Sequence, residues 1–576
     1  MKYIAIDIGG SWIKGVVTEG YSFDSNPKEL MDAFQVQKVK SPLNAYTTVD
    51  QLLCAFQELF EKFNTPLEDV TGFGISTPGI VNYHGTRLLS AGSHLNILKS
   101  DQWKNEIQNR FNCPVFLIND ADSATIGLAE MGALHGDKSI GIMPVGTGLG
   151  FSIWKNGRRW RPGKMLPLLG SAAFNEKEYN EVVSASNLAN SAINSDLVEV
   201  LTNSIHNDSL QQYFKNFASI VATAATLYGL DELIICGGLV NAANTCEFSI
   251  IESLTKHIKN PFELFGKQVH IKTAYLGNHL QLLGSLALIH GELHAQQSKV
   301  SYAYRDLDTE VPYQSDFKPE KMKSAEIVHK LWEAEQEAGR QLEKSLDTIA
   351  AIVDQCLEKV QAGGRIIYVG AGTSGRIAAI DAVEIPVTYG FPKDRILALI
   401  AGGITEASME IESDFEEDAS AVPEMLLLNI QPEDSVIGIS ASGTAYYVQS
   451  ALAFAKKKQA LAIMLQTKKS KEALRFCDHI IPLESGSELI SGSTRMKAGT
   501  ATKKVLNFFS TTLMIKLGKV IGSHMVDLVC TNDKLLERAQ HILTKLYAMD
   551  NDEAKKRLER ANMDLRRAIE ELKETL

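Results

Sequence analysis

The feature that most narrows the fold of this chain is a junction that recurs along it. A short apolar run ends directly in a turn of glycines and hydroxyl-bearing residues, and a stretch with helical spacing follows. YIAI runs into Asp7-Ile8-Gly9-Gly10-Ser11, GIMPV into Gly146-Thr147-Gly148-Leu149-Gly150, and LIIC into Gly237-Gly238. Gly74-Ile75-Ser76-Thr77-Pro78-Gly79 follows a further apolar run, RIIYV precedes Gly370-Ala371-Gly372-Thr373-Ser374-Gly375, and SVIGI precedes Ser440-Ala441-Ser442-Gly443-Thr444. Strand, glycine turn and helix in alternation predict α/β layers with largely parallel sheets.

The junctions fall into two blocks, the first from Tyr3 to about His294 and the second from about Gly364 onward. Between them lies a polar, proline-containing stretch with no hydrophobic period, whose first part reads as a linker. From Ser324 to Gln361 apolar residues recur at helical spacing, and the charged segment from Asp552 onward reads as an amphipathic helix with a solvated face. At 576 residues the chain is too long for one ordinary domain.

Charge and cysteine usage exclude several classes. A net charge of −11 argues against nucleic acid or an anionic membrane as the main partner. Small anions remain compatible, because a local site overrules a global balance. Seven cysteines lie scattered with no CxxC pair, so free thiols in a reducing compartment are expected, with neither disulfide framework nor metal site. The start MKYIAIDIGGS enters a strand directly instead of forming a leader, and no apolar run reaches the roughly 18 residues that span a bilayer. A soluble, cytoplasmic protein is expected.

The first block offers phosphate loops and one acid. Glycines after a strand let backbone N–H groups approach a phosphate, and Ser11 and Thr147 add hydroxyl donors. One such loop is equally well a tight turn; three in one block suggest a nucleotide clamp. GxxxxGK[ST] is absent, so a P-loop is excluded. In PVFLINDADSA a strand ends at Ile118, which places Asn119 and Asp120 at its C-terminal edge. Asp120 there either takes a proton from a sugar hydroxyl attacking a γ-phosphate or caps a helix, and Asp122 also suits a cap.

The second block offers a cradle for a phosphate monoester. Gly370–Gly375 satisfies the dinucleotide pattern GxGxxG, but the next strand ends in Ala401-Gly402-Gly403 without the acid that would hold a ribose. Thr373 and Ser374 instead put two hydroxyls at a helix N-terminus. The Ser440–Thr444 turn adds more, and Ser491–Thr500 combines Ser493 and Thr494 with Arg495 and Lys497. Each turn alone could be a cap; three together point to a phosphorylated ligand.

DIGGS, GISTPGIV, NDADSA, GTGLG, ICGGLV and LGNHLQLLGSLAL together resemble the sugar kinases of the repressor, open reading frame, kinase (ROK) family, within the hexokinase–actin superfold. The resemblance covers about residues 1–295 and implies two α/β lobes. It implies Asp120 as catalytic base, and an ATP site with Mg2+ bordered by Asp7, Gly9, Gly10, Ser11, Gly146, Thr147, Gly148, Gly237 and Gly238. The family's Glu-x-Gly-His segment is replaced by GKMLPLLGSAAF and its CxCGxxGC motif is missing, so a sugar specificity unlike an ordinary glucokinase is expected.

VGAGTSGR, DAVEIPVTYG, LIAGG, ISGSTRMKAGTATKKVLN, IKLGKVIGSHMVD and TNDKL resemble N-acetylmuramic acid 6-phosphate etherase, built on the sugar isomerase (SIS) fold. This covers about residues 309–569 and implies a cofactor-free reaction. A base removes the C2 proton of the ring-opened sugar, D-lactate leaves C3, and water adds. The resemblance implies a cradle of Gly372, Thr373, Ser374, Ser440, Ser442, Ser493, Thr494, Arg495 and Lys497, with Glu384 as the acid assisting lactate departure. Glu417 best matches the base, with Glu416 or Glu412 as alternative counterparts because SDFEEDAS is longer than the family's segment. SGTAY stands where the family has SGRTP, and Tyr313 where it has Asn.

The expected organisation is therefore a ROK-type kinase over 1–295, a linker over 296–308, a SIS-type doubly wound α/β domain with helical lead-in over 309–530, and a helical tail over 531–576. The two resemblances imply a bifunctional amino-sugar kinase and etherase in peptidoglycan sugar salvage. They also imply amino-sugar and sugar-phosphate ligands and a homodimer through the SIS domain. The competing expectation is a sugar-phosphate sensor, like glucokinase regulatory protein, that regulates its own attached kinase.

Overall fold

A computed structural model gives the chain's architecture. It describes all residues except 24, 25, 27, 28, 30–33, 64, 83, 84, 91, 92, 135–137, 156, 161–172, 175, 176, 192–196, 203–207, 259–268, 275–278, 302–306, 308, 314–316, 403–417, 468, 469, 528–531 and 576. The chain forms two compact units. The first comprises 1–297, 404–410 and 420–430; the second comprises 298–403, 411–419 and 431–576.

The first unit is built twice on one plan. In its first sheet the strands lie in the order Gln37–Lys40, Trp12–Glu19, Lys2–Ile8, Val70–Thr77, Val115–Asn119. In its second they lie in the order Arg158–Trp160, Ser152–Lys155, Ile140–Pro144, Glu232–Cys236, His270–Thr273. Each sheet begins as an antiparallel three-strand meander and continues with two parallel strands. The first turn of each meander is glycine-rich, so the repeat puts Gly9–Ser11 and Gly146–Gly150 at equivalent places. Helices such as Val49–Lys62 and Asp208–Tyr228 cover the sheets with their apolar faces, closing separate cores around Phe56 and Phe73 and around Phe214 and Phe217.

Two helices of this unit approach so closely that only glycine fits between them. A Cβ on Gly284, in helix His279–Ser298, would lie 2.0 Å from the Ser123 carbonyl oxygen. One on Gly127, in helix Asp120–Glu130, would lie 2.3 Å from the Leu280 carbonyl oxygen. Ser123 Oγ donates to the Gln281 carbonyl at 2.7 Å and fixes the crossing. The short helix Val422–Leu427, distant in sequence, packs on the same Asp120 helix and is counted with this unit.

The second unit holds one five-stranded, wholly parallel sheet in the order Ile396–Ile400, Ile366–Gly370, Ser435–Ile439, Leu461–Gln466, His479–Pro482. Strand order reverses between Ile366–Gly370 and Ser435–Ile439, the switch point where ligands bind such sheets. Buried Arg365 and Asp434 pair at 2.6 Å and pin the starts of these two strands. The lead-in is two helices, Ser324–Leu342 and Leu346–Gln361, joined by a tight turn. The tail forms helices Asp533–Tyr547, Asn551–Arg560 and Leu565–Thr575 around their own core of Leu543, Leu558 and Leu565. Among the described residues no helix is long and apolar enough to cross a membrane.

Candidate active sites

In the first unit the two equivalent turns meet. Thr147 Oγ1 accepts from the Ser11 backbone N–H at 2.9 Å and lies 3.1 Å from Ser11 Oγ. A Cβ on Gly10 would come within 2.4 Å of the Thr147 methyl, so glycine is what lets the turns touch. Gly9 closes its own turn on the Trp12 carbonyl. The Gly146 N–H is bonded to the Gly148 carbonyl, and the Gly146 carbonyl accepts from Ala185. Gly237, at φ 93°, packs against Val145 and precedes helix Gly238–Thr245, whose Leu239 N–H donates to the Val145 carbonyl. Asp7, Gly9, Gly10, Ser11, Gly146, Thr147, Gly148, Gly237 and Gly238 thus line strand ends around one junction.

Asp120 opens helix Asp120–Glu130 at the end of strand Val115–Asn119. It is not the cap. Asn119 takes that role, its Oδ1 accepting from the Ala121 and Asp122 N–H groups at 3.0 and 3.2 Å while its Nδ2 donates to the Gly79 carbonyl. Asp120 Oδ1 accepts from the Ala121 N–H at 2.8 Å and from Asn119 Nδ2 at 3.0 Å. Burial first, then the charges of Asp7 and Asp122, push the Asp120 carboxyl up to about 7, against these hydrogen bonds. Asp7 is itself raised by burial, opposed by Lys14 across the strand pair and by the Ser76 hydroxyl at 2.9 Å. Two neighbouring carboxylates disfavour each other's charge, the arrangement that tunes an acid into a base near neutral pH. Asp122 points away, into a buried ion pair with Arg159.

In the second unit three turns carrying hydroxyl side chains lie at the switch point. Gly372 starts helix Gly372–Tyr389 at φ 52°, and Thr373 and Ser374 follow in its first turn, half-buried. Gly370 and Gly375 allow this helix to press on its strand: a Cβ on Gly375 would lie 2.9 Å from both the Gly370 oxygen and Ile400 Cγ2. The adjacent strand ends in buried Ser440, whose Oγ accepts from the Gly443 N–H at 3.1 Å; Ser442 and Thr444 hydroxyls lie 2.7 Å apart. The third turn joins them, since a Cβ on Gly499 would touch both the Thr494 oxygen and the Thr373 methyl. Ser493 and Thr494 are half-buried there, and Arg495 is exposed. Lys497 is buried at the start of helix Lys497–Lys516 with its ammonium 5.7 Å from the Tyr313 ring centre, and burial holds it below its usual value. Thr309 is buried against this turn, its carbonyl accepting from the Gly492 N–H at 2.8 Å.

Glu384 lies on the outer face of helix Gly372–Tyr389, its side chain 63% exposed and one oxygen 3.6 Å from Lys503 Nζ. Lys503 also reaches buried Asp381 at 3.6 Å, which accepts from the Tyr368 hydroxyl at 2.9 Å. Ile380, Val383 and Val387 share the face with Glu384 and are exposed. Glu417, with Glu412 and Glu416, lies outside the described residues.

Sequence reasoning passed over Lys503, Arg159 and Glu488. Glu488 is fully buried and accepts from the Lys497 and Ala498 N–H groups at 3.1 and 2.9 Å, capping the helix that carries the third turn. It lies nine residues ahead of that helix, beyond the reach of a local capping pattern, so the sequence gives no signal for it. Arg159 and Lys503 carried no local signal, because their partners are remote in sequence or buried. Among the described residues no group of acids, histidines and cysteines is placed to hold a metal ion. Cys54, Cys113, Cys236, Cys246, Cys356 and Cys477 are free.

The fold is that of a two-unit protein: an α/β domain of duplicated sheets with two glycine-rich turns that meet, and a parallel α/β domain with hydroxyl-bearing turns at its switch point. Residues 3–167 match the ROK family, and residues 348–456 match the glucokinase regulatory protein N-terminal SIS domain. The chain is 39% identical over 264 residues to the N-acetylmuramic acid 6-phosphate etherase of Mycoplasma mycoides subsp. mycoides, covering 46% of this chain and 87% of that protein. It is 43% identical over 229 residues to the etherase of Petrotoga mobilis, covering 39% of this chain and 76% of the relative. The crystal structure of a ROK family glucokinase from Streptomyces griseus in complex with glucose and AMPPNP is similar at 19% identity and a TM-score of 0.40, covering 50% of this chain and 98% of that one. The chain belongs to the N-acetylmuramic acid 6-phosphate etherase family and joins to it a ROK family domain.

Proposed function

We propose that the second unit cleaves the lactyl ether of N-acetylmuramic acid 6-phosphate, giving N-acetylglucosamine 6-phosphate and D-lactate, and that the first unit phosphorylates the amino sugar that feeds it. The observation that carries the reading is the convergence of Thr373, Ser374, Ser440 and the Thr494 turn at one switch point in a chain of this family. Hydroxyls and N–H groups at a helix start receive the 6-phosphate. Glu417, or Glu416 or Glu412 in its place, takes the C2 proton of the ring-opened sugar, Glu384 hands a proton to the departing lactyl oxygen, and water adds to the resulting alkene at C3 to give N-acetylglucosamine 6-phosphate.

Exposed Glu384 sits within the apolar stripe of Ile380, Val383 and Val387, spaced as one helix face. A second copy of the chain covers this stripe and removes the acid from bulk water, so the etherase site is completed in a homodimer.

In the first unit Asp120 accepts the proton of the sugar hydroxyl as its oxygen attacks the γ-phosphorus of ATP and ADP departs. Asp7 would fit a Mg2+ ion arriving with ATP, since a divalent cation would offset the burial that raises its carboxyl, and Asp120 would stay free to act as base. Such an ion would neutralise phosphate charge, and the Ser11 and Thr147 turns would hold the phosphates. The products of this reading are expected in the cytoplasm.

Incubating the protein with N-acetylmuramic acid 6-phosphate and measuring D-lactate tests the etherase reading, and Glu384→Gln is expected to lower release at least about a hundredfold. The match of residues 348–456 to a regulatory SIS domain favours a second reading, a sensor that binds sugar phosphate and controls the attached kinase. No lactate, with phosphorylation altered by the same ligand, selects the sensor.

A further inference from the structure

We propose that Gln449 is a positioning residue for the Ser440–Thr444 turn, and that residues 298–300, ahead of the etherase-like segment, hold it in that role. The proposal rests on the sugar-phosphate reading above and adds a side chain that reading does not use. Gln449 lies in helix Tyr446–Lys457, which follows the turn directly, and is 1% exposed. Its carboxamide meets the backbone of Gly443 and of Val300, all within the second unit. Nε2 donates to the Gly443 carbonyl at 2.8 Å and to the Val300 carbonyl at 3.0 Å, while Oε1 accepts from the Val300 N–H at 2.9 Å. Only a carboxamide offers this set; a carboxylate lacks the donors, and an apolar side chain lacks donors and acceptor alike.

The bond to Gly443 decides which way one peptide faces. In a planar trans peptide the C=O and N–H point in opposite directions. With the Gly443 carbonyl drawn to Gln449, the Thr444 N–H of the same peptide is turned the other way, where it donates to Ser442 Oγ at 3.3 Å. The Thr444 hydroxyl lies 2.7 Å from that same Oγ. Gly443 sits at φ 78°, and glycine's freedom makes rotation of this peptide easy. Once rotated, the peptide would set its carbonyl oxygen beside the two hydroxyls, where it would repel the phosphate that an N–H attracts. Gln449 holds the attractive orientation.

Val300 steers the carboxamide. Its N–H and carbonyl take Oε1 and one Nε2 hydrogen as a neighbouring strand would, which leaves the other Nε2 hydrogen for Gly443. Lys299 Nζ lies 4.6 Å from the Tyr446 ring centre and fastens the same stretch to the first residue of the helix. The turn is thus held by chain that precedes the segment resembling the etherases.

The test uses the full-length protein and N-acetylmuramic acid 6-phosphate, with D-lactate as the readout. Gln449→Met, unbranched and close in volume, removes the side-chain bonds to Gly443 and Val300. KM is expected to rise about tenfold with kcat within about twofold, because the turn receives the phosphate and not the reacting carbons. Val300→Pro withholds the N–H given to Oε1 and is expected to raise KM about threefold. Calorimetry with N-acetylglucosamine 6-phosphate runs in parallel and needs no turnover. Lactate release with unchanged KM in folded Gln449→Met, or a fall confined to kcat, would overturn the positioning role and leave the etherase reading standing. No lactate from the wild type, with a binding heat whose Kd Gln449→Met weakens about tenfold, would overturn the etherase reading and keep the positioning role. No lactate, with no heat or with a Kd that Gln449→Met leaves unchanged, would overturn both. Should Gln449→Met fail to fold, Val300→Pro decides by the same measurements.

Discussion

At the scale of single residues, Asp120 is caught between stability and use. Burial and two like charges lift its carboxyl from 3.8 to about 7. A base must be ionised, so phosphorylation is expected to fall about tenfold per pH unit below 7 and to level off above it, read as kcat/KM against pH. The sign for stability is opposite. Between 3.8 and about 7 the folded state holds a proton that the unfolded chain has released, so this group's contribution to stability is lost as pH rises through that window. Asp120→Asn should therefore stabilise the first unit at pH 8, on the order of 2 kcal/mol after allowance for its partial exposure, while abolishing phosphorylation. Lactate release should persist in this variant, measured on N-acetylmuramic acid 6-phosphate; loss of both activities in a folded variant would contradict the division of labour.

Elements meet here where glycine removes a side chain. Helices Asp120–Glu130 and His279–Ser298 cross with backbone against backbone, and a methyl on Gly284 or Gly127 would lie 2.0 or 2.3 Å from a carbonyl oxygen. Neither oxygen can yield without parting the helices, so Gly284→Ala should cost about 3 kcal/mol or more. Two thermal transitions should separate, the earlier one lowered, with phosphorylation lost first. Gly375→Ala does the same to the cradle at 2.9 Å from the Gly370 oxygen. Displacement of the helix start carrying Thr373 and Ser374 is expected to weaken sugar-phosphate binding at least about tenfold by calorimetry.

For the whole molecule, two consequences follow from surfaces that a linear map conceals. In the homodimer proposed above the exposed stripe of Val383 and Val387 around Glu384 is the contact, so Val383→Asp with Val387→Asp should yield monomers by analytical ultracentrifugation. Lactate release should fall with dimerisation while phosphorylation stays within twofold of its usual rate. The first unit also incorporates 420–430, with Val422, Met425 and Leu426 buried in it. Each such side chain contributes roughly 1.5–3 kcal/mol when buried. A fragment ending at residue 297 should therefore melt below the corresponding transition of the full chain, or aggregate.

Local chemistry made much of this legible. Apolar runs ending in glycine fix strand–turn junctions wherever they occur, because backbone strain and the need to pair N–H groups act over a few residues. The strand–turn junctions at Ser11, Thr147, Thr373 and Ser440 were accordingly readable, as was the family. Which side chain does what at each turn was decided by long-range packing. Asn119 and Asp120 are both competent caps, and it is the Gly79 carbonyl, in the bend after strand Val70–Thr77, that draws Asn119 into the role and leaves Asp120 to face Asp7. The exposed Glu384 face, the capture of 420–430 and the Asp122–Arg159 pair likewise join residues through space, where apolar burial and low dielectric act without regard to sequence distance.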